Sequence, residues 1–298
     1  MVSEKFDGVA YFALLVMVLS TGSTFLFIVF ALEGLSAMAV ASWRLIIGAA
    51  FLVAVAFALG EGLPRSRVIW LWAAGFGVLN YLIPAVTLAW AQQFLPTNVA
   101  GAYYASIPLM VLMLSAVIFA VKITWRKGLG LVIGSVGLVV LAGPGTGSQL
   151  DGEIPVLPQM AIFLSCVCLA MTAVIARIMP KAPAMQLSAA AALMAAVPFV
   201  PVAALTLPET TPSTKAIAGM VAAGVISSGI AHFSRFFLIR RKGPVFVTPN
   251  AYLAAIWTAF LGAIVLGEVL TLPTIIALGI VLAGVVIAQD GSGQMKAV

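Results

Sequence analysis

The chain has 298 residues, of which 63% are hydrophobic and only 8% charged, with a mean hydropathy of +1.19. A soluble domain carries about one-quarter charged residues, so a water-facing globular surface is excluded. The net charge of +6 is scattered in short groups between apolar stretches, which reads as membrane topology and leaves no basic face for nucleic acid.

Crossing a hydrocarbon core of about 30 Å takes about 20 helical residues. Apolar spans are predicted at 8–30, 36–59, 68–92, 97–121, 128–143, 155–178, 184–207, 215–239, 244–267 and 272–289. They are continuous and not alternating, so helices are expected and not a barrel. Ahead of the first, Met1–Asp7 holds Glu4 and Asp7 beside the single Lys5. The span that follows is too long for a signal-peptide core, so no cleavage is expected. The second span carries Arg44 about one-third of the way in, where a charge must snorkel or find a partner. The third carries Asn80, Tyr81 and Pro84, then Trp90, Gln92 and Gln93; the fourth carries Asn98, Tyr103, Tyr104, Ser106 and Pro108.

The fifth span is short and rich in small residues, with Gly128, Gly130, Gly134 and Gly137; Gly279 and Gly284 recur in the tenth. Small residues let helix backbones approach, so close packing is expected at these positions. Cys166 and Cys168 in the sixth span are the only cysteines. Two residues apart on a helix they do not face each other, so they read as small buried residues and not as a disulfide or a metal clamp. Pro198 marks the seventh span. The eighth carries Ser227, Ser228, the only histidine His232, Ser234 and Arg235. The ninth opens with Thr248, Pro249, Asn250 and Tyr252, has Trp257 further on, and ends near Glu268.

Of 15 Lys and Arg, 13 fall on one side of such a bundle: Lys5, Arg65, Arg67, Lys122, Arg126, Lys127, Arg177, Lys181, Arg235, Arg240, Arg241, Lys242 and Lys296. Lys215 alone faces the other side, with the acids Glu33, Asp151, Glu153, Glu209 and Glu268. Positively charged loops stay inside, so both termini are predicted to be cytoplasmic.

Shifting the chain by 147 residues aligns Ala37-Met38 with Ala184-Met185, Val55-Ala56 with Val202-Ala203, Gly77 with Gly224, Thr124 with Thr271 and Gly137 with Gly284. Five spans per copy is odd, so the second copy enters from the opposite face, which makes an inverted repeat. The expected fold is all-α and integral to the membrane. It has ten transmembrane helices in two inverted five-helix repeats, residues 1–147 and 148–298, around a central cavity. Trp43-Arg44, Pro108, and Leu266-Gly267-Glu268-Val269-Leu270-Thr271 followed by Gly279 and Gly284 resemble the EamA repeat of the drug/metabolite transporter superfamily. Within it the chain looks most like the amino-acid exporters, the aromatic amino-acid exporters in particular. The resemblance implies that helices 1, 3, 4, 6, 8 and 9 surround the cavity, that solutes leave the cell, and that the chain sits in a bacterial inner membrane. Glu268 corresponds to Val121 and Arg44 to Ala191 under the shift, so the copies are not equivalent at these charges.

Polar and aromatic residues inside spans gather where helices line a cavity. The candidate substrate-binding residues are therefore Asn80, Tyr81, Tyr103, Tyr104, Ser228, His232, Asn250, Tyr252 and Trp257. Aromatic rings with polar tips suit an amphipathic metabolite such as an amino acid; the competing reading of the rings is an interfacial belt, which fits Trp70, Trp72 and Trp125 better. His232 is open to two readings, contact with a substrate carboxylate or proton relay, and to simple helix packing. Pro108 and Pro249 are candidate hinges, Glu268 a helix-end or gating group, and Arg44 a structural charge. No catalytic set, metal cluster, cofactor motif or phosphate loop is present, so neither an enzyme nor an ATP-driven pump is expected. The expected partners are a small-molecule substrate and the lipid bilayer, and a monomer is compatible with the pattern. Facilitated diffusion or exchange competes with proton-coupled antiport, and a non-transporting scaffold is the alternative from another class.

Overall fold

The structure is a computed structural model that describes residues 7–120, 123–141, 155–176, 178–180, 182–208, 211–242, 244–247 and 249–290. Each predicted span is helical: α1 (Gly8–Leu32), α2 (Ala37–Ala58), α3 (Arg67–Ala91), α4 (Thr97–Phe119), α5 (Trp125–Leu141), α6 (Val156–Ile175), α7 (Ala184–Leu205), α8 (Thr214–Ile239), α9 (Asn250–Val265) and α10 (Leu272–Asp290). Among the described residues there is no strand. Seven helices, α1 to α4 and α6 to α8, are long and apolar enough to cross a membrane, whereas α5, α9 and the apolar part of α10 are shorter. Lys5, Val121, Lys122, Asp151, Glu153, Arg177, Lys181, Glu209, Thr248 and Lys296, used in the sequence reading, lie outside the described residues.

Local chemistry explains where the helices depart from the expected spans. The ninth begins at Asn250 and not near residue 244, because Pro249 has no N–H and restrains the residue before it; Pro244–Val247 forms a separate tight turn. Pro84 has no N–H for the Asn80 carbonyl, and the preceding turn widens into a π-helix over Val78–Leu82. A second π stretch, Ala223–Ile230 in α8, spans the positions 147 residues further on. Three more helices are interrupted without being ended, α1 at Ser23, α4 at Ser106 and α7 at Val197–Phe199. At the second break Pro108 sits in the first turn of the new segment, where a missing donor costs nothing.

Small residues set the packing. α5 packs along α10, and a Cβ added at Gly130, Gly134, Gly137 or Gly284 would collide with the neighbouring helix or with Leu109. Gly128 and Gly279 are corrections to the expectation: a Cβ on Gly279 would meet nothing within 4 Å, and one on Gly128 only Ile123 at 3.8 Å. They lie off the contact face. Elsewhere α2 packs on α7 and α8, α3 on α6 and α7, α1 on α8 and α9, and α4 on α6 and α9.

The loop interactions sort by face. Asp7 caps α1 and accepts from Arg241 Nε and Nη2 at 2.8 and 3.1 Å, while Glu61 ties the α2–α3 loop to Gln186 at the start of α7. Each joins two segments predicted to be cytoplasmic. The Arg241 guanidinium beside Asp7 holds its carboxyl below the usual carboxylate value. On the other face Lys215 pairs with Glu33 at 2.6 Å.

Candidate functional site

Gly48 lets α8 approach α2, because a Cβ there would overlap the Ser228 side chain. One turn earlier on α2, Arg44 is thereby brought to the same place, and its Nε donates to Ser228 Oγ at 3.1 Å. Its Nη1 is buried with no hydrogen-bond partner. One turn beyond Ser228, His232 Nε2 lies 3.2 Å from Asn80 Nδ2, and Thr172 Oγ1 donates to Asn80 Oδ1 at 3.4 Å. The Thr172 hydroxyl shares its single proton with the Leu169 carbonyl at the shorter distance of 2.7 Å, and the Asn80 NH2 faces Nε2 of the imidazole as donor to acceptor. Nδ1 is buried and closes no hydrogen bond.

The Tyr81 ring lies 4.8 Å from the His232 ring at 33°, and its hydroxyl meets Ser188 Oγ on α7 at 2.6 Å. Arg235, counted by the sequence reading among the cytoplasmic charges, lies four residues before the end of the apolar stretch Thr214–Ile239. It stands three residues beyond His232, on the same face of the helix. Among the described residues, neither arginine forms an ion pair.

A second polar group joins α4 to α6. Tyr103 donates to Gln159 Oε1 at 2.8 Å and Tyr104 meets Ser165 Oγ at 2.7 Å. Tyr104 stands edge-on to Phe25 at 5.1 Å, within electrostatic reach of Arg44. The break in α1 is satisfied from α9 and α3. Thr258 donates to the Gly22 carbonyl at 2.8 Å, Gln92 to the Phe25 carbonyl at 3.1 Å, and Trp257 Nε1 to Ser23 Oγ at 3.0 Å. Irregular backbone at membrane depth survives only when such groups are met.

The structure thus brings Arg44, Asn80, Tyr81, Ser228 and His232 together and places Tyr104 beside them. It does not gather all the candidates. Tyr252 packs with Leu109, Ala255 and Val281 beside α10. Asn250 opens α9 with its Oδ1 buried and unpartnered. Trp257 borders an outward groove of about 490 Å³ between α1 and α9, lined otherwise by Tyr11, Leu14, Leu15 and neighbouring apolar residues. Glu268 accepts from the Thr97 and Asn98 backbone N–H groups at 2.6 and 3.0 Å and caps α4. Pro249 likewise sits at a helix start. Cys166 and Cys168 are free and buried, and among the described residues no group of His, Cys, Asp or Glu can hold a metal. Gln159, Ser165, Thr172 and Ser188 were missed by the sequence reading; their only signal was a lone polar residue in an apolar helix.

The chain is 27% identical over 285 residues to the uncharacterized inner membrane transporter YedA of Escherichia coli (strain K12), covering 94% of this chain and 90% of that one. It is 25% identical to an uncharacterized transporter of Archaeoglobus fulgidus over 89% of this chain and 93% of the other. A solved crystal structure superposes with a TM-score of 0.67 at 18% identity, over 98% of this chain and 100% of that chain; at that identity the likeness is one of fold. The EamA-like transporter family model matches residues 8–143 and again 157–288, and the chain therefore belongs to the EamA-like transporter family.

Proposed function

We propose that the protein exports amino acids, aromatic or hydrophobic ones, or similar small metabolites, by alternating access and by facilitated diffusion or exchange. The observation that carries this reading is the meeting of Arg44, Asn80, Tyr81, Ser228 and His232 inside the helix bundle, from both halves of the chain. The proposed architecture is ten transmembrane helices in two inverted repeats, 1–147 and 148–298, with both termini cytoplasmic in a bacterial inner membrane. Two facts support it. Most of the main helix contacts keep their form when each helix is exchanged with the one five places away: α1 on α8 with α6 on α3, α1 on α9 with α6 on α4, and α2 on α8 with α7 on α3. The family model also matches the two segments separately.

Two similar halves of opposite orientation exchange shapes, so a site between them opens to either face in turn. The π stretches in α3 and α8 flank this site, and such bulges are frequent where helices must yield. Proton-coupled antiport is the competing reading, with His232, hydrogen-bonded to Asn80, as its candidate coupling group. The test is reconstitution into liposomes with labelled amino acids, with and without a pH gradient. Saturable flux of aromatic amino acids, independent of the gradient, is expected. Absence of flux for every amino acid in the panel overturns the substrate assignment.

A further inference from the structure

The charge around the Arg44–His232 cluster is one-sided. Arg44 and Arg235 both lie in helices that cross the membrane, where an unpaired cation is costly and marks a functional site by default. The described carboxylates whose bonds are known are engaged elsewhere: Asp7 with Arg241 and Lys242, Glu33 with Lys215, Glu61 with Gln186, and Glu268 at the start of α4. Arg44 has committed Nε to Ser228 and keeps Nη1 buried without a partner. His232 has committed its acceptor nitrogen to Asn80 and keeps an unpartnered Nδ1. The charged groups left over are cations, and Ser227 Oγ beside them is buried without a partner. Ser228, His232 and Arg235 follow one another at spacings of four and three on α8 and so share one face of the helix, with the Tyr81 ring beside His232.

We propose that Arg44, His232 and Arg235 together bind the anionic group of the cargo, and that no group in this cluster recognises an ammonium. The substrate class is then small aromatic or apolar carboxylates, including species of net negative charge; amino acids are taken through their carboxylate alone. This rests on the transporter reading and narrows it. A guanidinium pairs with a planar carboxylate through two parallel hydrogen bonds, which an amine of the same shape cannot form.

The experiment compares phenylalanine, 3-phenylpropionate and phenethylamine, which share one ring and differ only in charged groups. Binding to the purified full-length protein is measured by calorimetry, and uptake is measured in proteoliposomes. 3-Phenylpropionate is expected to bind and move at least as well as phenylalanine, and phenethylamine to do neither. Arg44→Gln and Arg235→Gln should each raise the apparent KM for 3-phenylpropionate tenfold or more, with partial recovery in Arg44→Lys. Competition on the unmodified protein keeps the test independent of variant folding. Binding or transport of phenethylamine in preference to 3-phenylpropionate overturns the proposal, as does unchanged 3-phenylpropionate affinity in both glutamine variants. If 3-phenylpropionate binds but nothing moves, the transporter reading fails and the anion site stands. Amino-acid flux without 3-phenylpropionate binding does the reverse.

Discussion

Glu268 offers the sharpest perturbation outside the Arg44–His232 cluster. Its two carboxylate oxygens accept from the first two backbone N–H groups of α4, at 2.6 and 3.0 Å, and Thr97 is fully buried. Hydrogen bonds to a charged group contribute about 1.5–3 kcal/mol each, and an orphaned buried donor costs about 1–3 kcal/mol. A carboxylate at a helix N-terminus adds about 0.3–1 kcal/mol. Glu268→Ala removes both acceptors at once, and with water reaching part of the site the loss should be about 3 kcal/mol. For a chain of this size roughly 2–4 °C of melting temperature follows each kcal/mol, so a fall of roughly 6–12 °C is expected. Intrinsic tryptophan fluorescence of the detergent-solubilised protein reads it directly, and Glu268→Gln, which keeps one acceptor oxygen, should lose about half as much. A melting temperature for Glu268→Ala within about 2 °C of wild type would refute the capping argument. Lost flux with unchanged melting would instead make Glu268 a gate.

Three further outcomes are expected. His232→Gln should keep downhill flux, because the glutamine carbonyl accepts the Asn80 bond as the imidazole does; accumulation driven by pH alone in wild type, abolished in the variant, would make the histidine a coupling site. Gly284→Ala should destabilise the α5–α10 contact by about 1–3 kcal/mol through overpacking, whereas Gly279→Ala, where a Cβ meets nothing within 4 Å, should be neutral or slightly stabilising; equal melting temperatures for the two variants would contradict the packing face. Single cysteines at Arg65 and Lys127 should be shielded from an impermeant reagent added outside and those at Asp151 and Lys215 labelled, and the opposite pattern would invert the topology.

Length, hydropathy and the 147-residue shift already specify a helical membrane protein, because a bilayer forces about 20 apolar residues per crossing and allows few alternatives. The helix starts were legible wherever Ser36, Pro96, Pro183 or Ser213 precedes the apolar run. The ninth start was misread because the apolar residues Val245, Phe246 and Val247 extend the hydropathy across a chain that Pro249 interrupts. Polar candidates were visible as exceptions in apolar helices, but their grouping was not. Whether Tyr252 faces His232 or the α4–α10 contact depends on the rotation of α9, which hydropathy leaves undetermined in a helix apolar on all sides. Tertiary structure alone decided that Gly48 would seat Ser228 against Arg44 and that Asn80 would hold His232. Each of these pairs joins residues far apart in the chain, and only the packing of backbones through small residues brings them within reach.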